Sequence, residues 1–99
     1  MDKKKIKEMR DKVKEMRKKR FQFLLRLYEL SEVEGYKAFN EVKFGEELGF
    51  DKPLILKIKG YLRVEQLIQL GSLGGVGIAH KGIKTVEEAL VQGGPWVVE

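Results

Sequence analysis

Four glycines in the C-terminal third of the chain are the first candidates for chemistry, because glycine-rich loops can cradle phosphate groups. They are spaced as Gly71-x-x-Gly74-Gly75-x-Gly77. A Walker-type loop needs Lys followed by Ser or Thr directly after its glycines, and a dinucleotide site needs glycines that open a helix. Here the glycines join two short apolar segments instead, which is typical of a hairpin turn. We therefore expect a turn between two strands and no nucleotide cofactor.

His80, the only histidine, is the remaining candidate for catalysis or metal binding. The chain has no cysteine, and the sequence places no partner beside His80 for a metal site or a catalytic triad. The adjacent carboxylates Glu46–Glu47 and Glu87–Glu88 would each point in two directions on a helix. The residues predict a chain that is not an enzyme and holds no metal or cofactor. His80 is expected to cap the last helix or to lie at the surface.

The charge of this 99-residue chain, which is long enough for one compact domain, is unevenly distributed. Residues 2–20 contain eleven basic and four acidic side chains, whereas residues 21–99 contain nine basic and eleven acidic ones. Such a basic segment is typical of attraction to nucleic acid, anionic lipid or an acidic protein, or of a solubilising helix face. No apolar run approaches the ~20 residues of a membrane span. The absence of cysteine favours an intracellular, cytoplasmic location.

Residues 2 to about 31 predict one long helix, capped by Asp2 and uninterrupted by Gly or Pro. Its apolar residues have the 3-4 spacing of a coiled coil: Ile6, Met9, Val13, Met16, Phe23, Leu27 and Leu30. From residue 21 the stripe becomes broad enough for a core helix, so the first half is expected to project from the domain.

The projecting half has basic residues on both sides of its apolar stripe. These flanking residues are Lys5, Arg10, Lys12, Arg17 and Lys19. Pairing with a second copy would therefore be repulsive. Self-association stays an alternative, because salt screens exposed charges and the Met and Ile side chains would still bury apolar area. The stripe is expected to meet an acidic or apolar partner, or to fold over its own domain.

The rest of the chain predicts three shorter helices and one hairpin. Tyr36 and Phe39 are expected to hold a connecting segment to the core. Gly49 ends the second helix, and Asp51 caps the third, with Pro53 in its first turn. The predicted elements are a connection at 31–40, helices at 42–48, 52–66 and 81–91, strands at 67–70 and 76–79, and a flexible tail at 93–99 that contains Trp96.

This order of elements, together with three short motifs, resembles the winged helix-turn-helix family. Residues 46–51, Glu-Glu-Leu-Gly-Phe-Asp, resemble the family's turn between its second and third helices. Residues 61–68, Tyr-Leu-Arg-Val-Glu-Gln-Leu-Ile, resemble the end of its recognition helix, and residues 78–83, Ile-Ala-His-Lys-Gly-Ile, resemble the passage from the wing into a last helix. Two positions depart from the pattern, since the family has Gly at Gln66 and Thr at Ala79.

The resemblance implies a mainly α fold with a small β-hairpin (α+β) and a role in binding double-stranded DNA. It divides the chain into a basic helical extension (1–20), a winged domain (21–92) and the tail (93–99). The third helix would enter the major groove, as in a transcriptional regulator or a larger DNA-associated protein. Its outer face is expected to contact DNA through Lys52, Lys57, Lys59 and Arg63, while Lys18, Lys19 and Arg20 track phosphates.

An alternative role in protein interaction or oligomerisation follows from the apolar residues on the same surface. The centre of the outer face is a strip of Leu56, Gly60 and Val64, and the wing contains neither Lys nor Arg. The expected protein-binding patch consists of Leu56, Val64, Leu73 and Val76. A membrane partner is disfavoured, because the projecting half has no Trp, Phe or Leu.

Overall fold

The computed structural model describes residues 2–93, which form four helices and one two-stranded antiparallel hairpin. Helices account for 71% of these residues, which confirms the prediction of a mainly α chain with a small β component. The predicted tail lies outside the described residues except for Gly93, and so does Trp96.

Helix α1 (Lys3–Glu34) begins at Asp2, whose Oδ1 accepts a hydrogen bond of 2.8 Å from the backbone N–H of Lys5. It continues three residues beyond the predicted end at residue 31. The reason is local, because the buried Ser31 hydroxyl donates to the carbonyl oxygen of Leu27 at 2.8 Å. With its polar group satisfied inside the helix, Ser31 does not interrupt it. The helix ends at Gly35.

Helices α2 (Glu41–Glu47) and α3 (Lys52–Val64) form a pair joined by a tight turn. The Asn40 side chain caps α2, and Asp51 Oδ1 caps α3 by accepting from the N–H of Leu54 at 3.0 Å. Gly49 in the turn has φ +84°, the left-handed conformation that glycine adopts without steric cost. The predicted cap and turn are therefore confirmed.

Strands β1 (Ile68–Leu70) and β2 (Val76–Ile78) follow α3 directly, and α4 (His80–Gln92) follows the hairpin. The register places Leu70 opposite Val76, and Phe39 forms an isolated bridge to Val76 from the other side. Gln66 has φ +62° at the junction of α3 and β1. This is the position where the resembled family has Gly, and the backbone explains why glycine suits it.

The core lies where α1, α3, the hairpin and α4 meet. Its fully buried side chains include Phe23, Leu24, Leu27, Ile55, Ile58, Leu62 and Val86. The inner face of α3 predicted from the helical period is confirmed: Ile55, Ile58 and Leu62 are buried, while Leu54 and Tyr61 are half-buried at its edge.

Two expectations about individual side chains need correction, and a third is settled between its two alternatives. Val76, expected on a partner-binding surface, is fully buried, because β2 packs against α1 and Val76 belongs to the core. Tyr36 does not anchor the connection, since it is 58% exposed. Of the two positions expected for His80, the structure has the exposed one, and no side chain caps α4.

Candidate nucleic-acid interface

The outer face of α3 is the surface to which the sequence assigned DNA contacts. It lies opposite the buried face of Ile55 and Leu62. Lys52, Lys57 and Arg63 are exposed on it, and none of them makes an ion pair within residues 2–93. Three of the four cations predicted there are therefore available to an anionic partner.

Lys59, the fourth predicted cation, is held inside the domain instead. Its Nζ lies 3.1 Å from Glu41 Oε1 at the start of α2, and the two side chains are 25% and 13% exposed. The other carboxylate oxygen, Oε2, is buried and has no hydrogen-bond partner. Lys59 thus neutralises a nearly buried carboxylate. Lys59 differs from the other three cations because it has an ion-pair partner at the edge of α3 against which α2 packs, and its contact with DNA stays a prediction.

Arg20 is also used within the domain, although the sequence assigned it to phosphates. Its guanidinium carbon lies 3.6 Å from the centroid of the Tyr61 ring on α3. A cation over an aromatic face at this distance is attracted by the ring quadrupole. The contact joins α1 to α3, and Lys18, which is exposed, and Lys19, which is half-buried, directly precede Arg20 in the chain. Sequence analysis missed the role of Tyr61, which the helical period indicated only as a core residue.

We call residues 3–20 the arm. Toward the N-terminus, Met16 is the last apolar residue that packs against the core, so the arm leaves the domain near Met16. The part before Met16 extends for roughly 20 Å at 1.5 Å per residue. Its apolar residues Ile6, Met9 and Val13 are 42%, 49% and 49% exposed. Of the outcomes left open by the sequence, folding of the arm over its own domain is therefore excluded.

The four residues of the alternative protein-binding patch are not brought together as expected. Leu56 and Val64 are 49% and 81% exposed on the outer face of α3. Leu73, at the tip of the hairpin, is fully exposed and lines a surface depression beside Glu41 at the start of α2. Val76 is in the core. What remains on α3 is an apolar strip between the cations.

The opposite end of α1 carries carboxylates rather than cations. The Tyr28 hydroxyl donates to Glu87 Oε2 at 2.8 Å, and this hydrogen bond raises the pKa of Tyr28 well above its ordinary value. The Tyr36 hydroxyl donates to Glu32 Oε1 at 2.7 Å, which raises the pKa of Tyr36 in the same way. The two ends of α1 therefore differ in charge, and an anionic partner is attracted to the arm end.

Other chemistry finds little support in this part of the chain. Residues 2–93 contain no group of three or more His, Cys, Asp or Glu side chains placed to hold a metal ion. None of the helices described there is long and apolar enough to cross a membrane.

Comparisons with protein-family models, curated proteins and solved structures return no match to this chain, so its function has to be inferred from its own geometry.

Proposed function

We propose that this chain is a winged helix-turn-helix domain that binds duplex DNA, with α3 in the major groove and the arm along the phosphate backbone. The observation that carries the proposal is the set of exposed cations on the outer face of α3 that make no ion pair within residues 2–93, together with a basic arm whose Arg20 end contacts the same helix.

The arrangement of elements supports the family assignment. Helices α2 and α3 are joined by a tight turn, and a hairpin follows α3 after a connection of three residues, 65–67. The inner face of α3 packs in the core, so the outer face is free for a groove about 12 Å wide. A recognition helix needs this combination of a rigid buried face and an open polar face.

The proposed contacts of the cations differ with their position and with the chemistry of their side chains. Lys52 and Lys57 carry flexible ammonium groups suited to phosphates, and Arg63 has a planar guanidinium that can donate two hydrogen bonds to one guanine. Lys18 and Lys19 add phosphate contacts from the arm. The hairpin adds no charge, because residues 67–79 contain neither Lys nor Arg.

The proposal is tested by fluorescence anisotropy with a labelled random duplex of about 20 base pairs at low salt. We expect wild-type binding and a clear loss in the Lys57→Ala/Arg63→Ala variant. The control variant Lys81→Ala/Lys84→Ala removes the same charge from exposed positions of α4. Equal losses in both variants would show attraction by net charge alone. The absence of any wild-type binding would refute the proposal.

A second candidate function, recognition of a protein through α3, is favoured by the exposure of Leu56 and Val64. An apolar strip of this kind is typical of a small protein-binding patch. Under this alternative, Leu56→Asp and Val64→Asp abolish partner binding or self-association, while duplex binding is negligible in the wild type.

A further inference from the structure

The arm has an apolar side whose purpose is not explained by DNA binding. Ile6, Met9 and Val13, which we call the seam, recur at the a and d positions of a heptad pattern. They point to the same side of α1 as the core residues Phe23 and Leu27 farther along, but no side chain of residues 2–93 covers them. Phosphates offer no apolar surface, so an arm that only tracked phosphates would not need a seam at this spacing.

The charges of the arm are sorted by position around the helix. From residue 5 to residue 19, the five flanking positions on either side of the apolar stripe are all basic, namely Lys5, Arg10, Lys12, Arg17 and Lys19. The positions facing away from the seam are mixed: Lys4, Lys7, Glu8, Asp11, Lys14, Glu15 and Lys18. The net charge is therefore +5 on the flanks and +1 on the outer side. None of the flanking cations makes an ion pair within the described residues.

This distribution specifies the chemistry of an occupant. In a coiled coil, the flanking e and g positions of one helix face those of the other, so five basic residues require acidic residues across the seam. A second copy of this chain would present basic residues there and is repelled. The acids on the outer side, Glu8, Asp11 and Glu15, oppose a polyanion wrapping the whole arm. We propose that the seam of the arm binds an amphipathic helix of a partner protein that has apolar a and d residues and acidic e and g residues.

Binding of this kind is independent of the proposed DNA contacts on α3. The seam lies on α1 and Lys57 and Arg63 lie on α3, so the two sets of contacts use different residues. Exposed Lys4, Lys14 and Lys18 stay on the outer side of the paired helices. The arm can therefore connect a DNA-bound domain to an acidic helical partner.

The test uses the full chain and a fluorescent peptide of about three heptads, with Leu at a and d and Glu at e and g. Two control peptides carry Lys at e and g, or Gln at a and d. We expect binding of the first peptide only, measured by anisotropy, with a gain in helix content by circular dichroism. Equal binding of the peptide with Gln at a and d would overturn the proposal, since charge alone would then suffice.

Three protein variants locate the contact on the arm. The seam variant is Ile6→Gln/Met9→Gln/Val13→Gln, and the flank variant is Lys5→Gln/Arg10→Gln/Lys12→Gln. The outer variant, Lys4→Gln/Lys7→Gln/Lys14→Gln, removes the same charge as the flank variant. We expect the seam and flank variants to lose about tenfold or more in peptide affinity and the outer variant to change by less than about twofold. Equal losses in the flank and outer variants would refute a directed contact.

Two further measurements separate this inference from other occupants and from the proposed function. Sedimentation of the wild type is expected to show no association through the seam. If the wild type forms a dimer and the seam variant does not, the seam binds a second copy of this chain rather than a partner protein, and the proposal is overturned. The seam variant is expected to bind duplex DNA as the wild type does. If it loses duplex binding instead, the seam serves DNA and the inference fails. If the wild type binds the acidic peptide but no duplex, only the proposed DNA function fails.

Discussion

Lys57 and Lys59 lie two residues apart on α3, yet the structure gives them different tasks, and their replacement by Ala tests the interface sharply. Lys57 is exposed and unpaired within the described residues, whereas Lys59 is 3.1 Å from Glu41. Only Lys57 is free to neutralise a phosphate. The two variants have the same composition, so any difference between them reports position rather than net charge.

The expected magnitude follows from counterion release. The logarithm of affinity falls with the logarithm of salt concentration with a slope of about −0.9 per neutralised phosphate. Five exposed or half-exposed cations, Lys18, Lys19, Lys52, Lys57 and Arg63, give a slope of about −4.5 and a loss of about 500-fold between about 50 and 200 mM salt. Without Lys57 the slope becomes about −3.6 and the loss about 150-fold. The Lys59→Ala variant keeps the wild-type slope.

The assay is anisotropy with a random duplex across a salt series, and urea unfolding by circular dichroism accompanies it. Lys59→Ala is expected to lower the free energy of unfolding by about 1–3 kcal/mol, because it leaves the nearly buried Glu41 without its cation. Lys57→Ala changes that free energy by less than about 0.5 kcal/mol. A slope reduced equally by both changes would show that the Lys59–Glu41 pair opens on DNA. A slope reduced by neither would show that α3 does not face the duplex.

Three further predictions concern the fold itself. Gly60→Ala should raise the free energy of unfolding by about 0.5–1 kcal/mol, because the new Cβ meets open space. Gly82→Ala should lower the free energy of unfolding, because a Cβ there overlaps the backbone carbonyl of Leu67. Urea unfolding compares the two variants. Gln66→Gly should stabilise the domain by about 1 kcal/mol by relieving the strain of φ +62°; an unchanged midpoint would contradict this. The hydrogen bond to Glu87 raises the pKa of Tyr28 and therefore stabilises the fold while Tyr28 is protonated. This stabilisation is present below the tyrosine pKa of the unfolded chain, and it is lost as the pH rises through the pKa of Tyr28 in the folded chain. In ultraviolet titration Tyr28 should ionise above the ordinary tyrosine pKa, and Tyr28→Phe should remove that step.

The helices and the hairpin were predictable because their signals are local. Asp2 and Asp51 cap the helices they precede, and Gly49 ends its turn in the left-handed conformation, as the sequence predicts. The predicted end of α1 was three residues too early. A serine disfavours the helix interior when its hydroxyl competes for backbone hydrogen bonds, but not when the hydroxyl is satisfied within the helix. In this fold burial and a bond to the Leu27 carbonyl satisfy the Ser31 hydroxyl.

The candidate interface was predictable only as a helix face. The period of α3 identified which residues point outward, but not which of them a neighbouring element covers. Lys59 pairs with a glutamate 18 residues earlier, and no periodic pattern relates the two. Val76 was expected outside because an isolated strand has two faces, and the sequence does not show which of them packs against α1.

The sequence by itself determined the order of the elements, the basic arm with its apolar seam, and the outward face of α3, because each depends on residues close together in the chain. Only the tertiary structure decided which cations are available. Packing of α2 against α3 pairs Lys59 with Glu41, and packing of α1 against α3 places Arg20 over the ring of Tyr61. Both contacts join residues that are far apart in the chain. The geometry of helix packing, rather than spacing along the sequence, brings these side chains together.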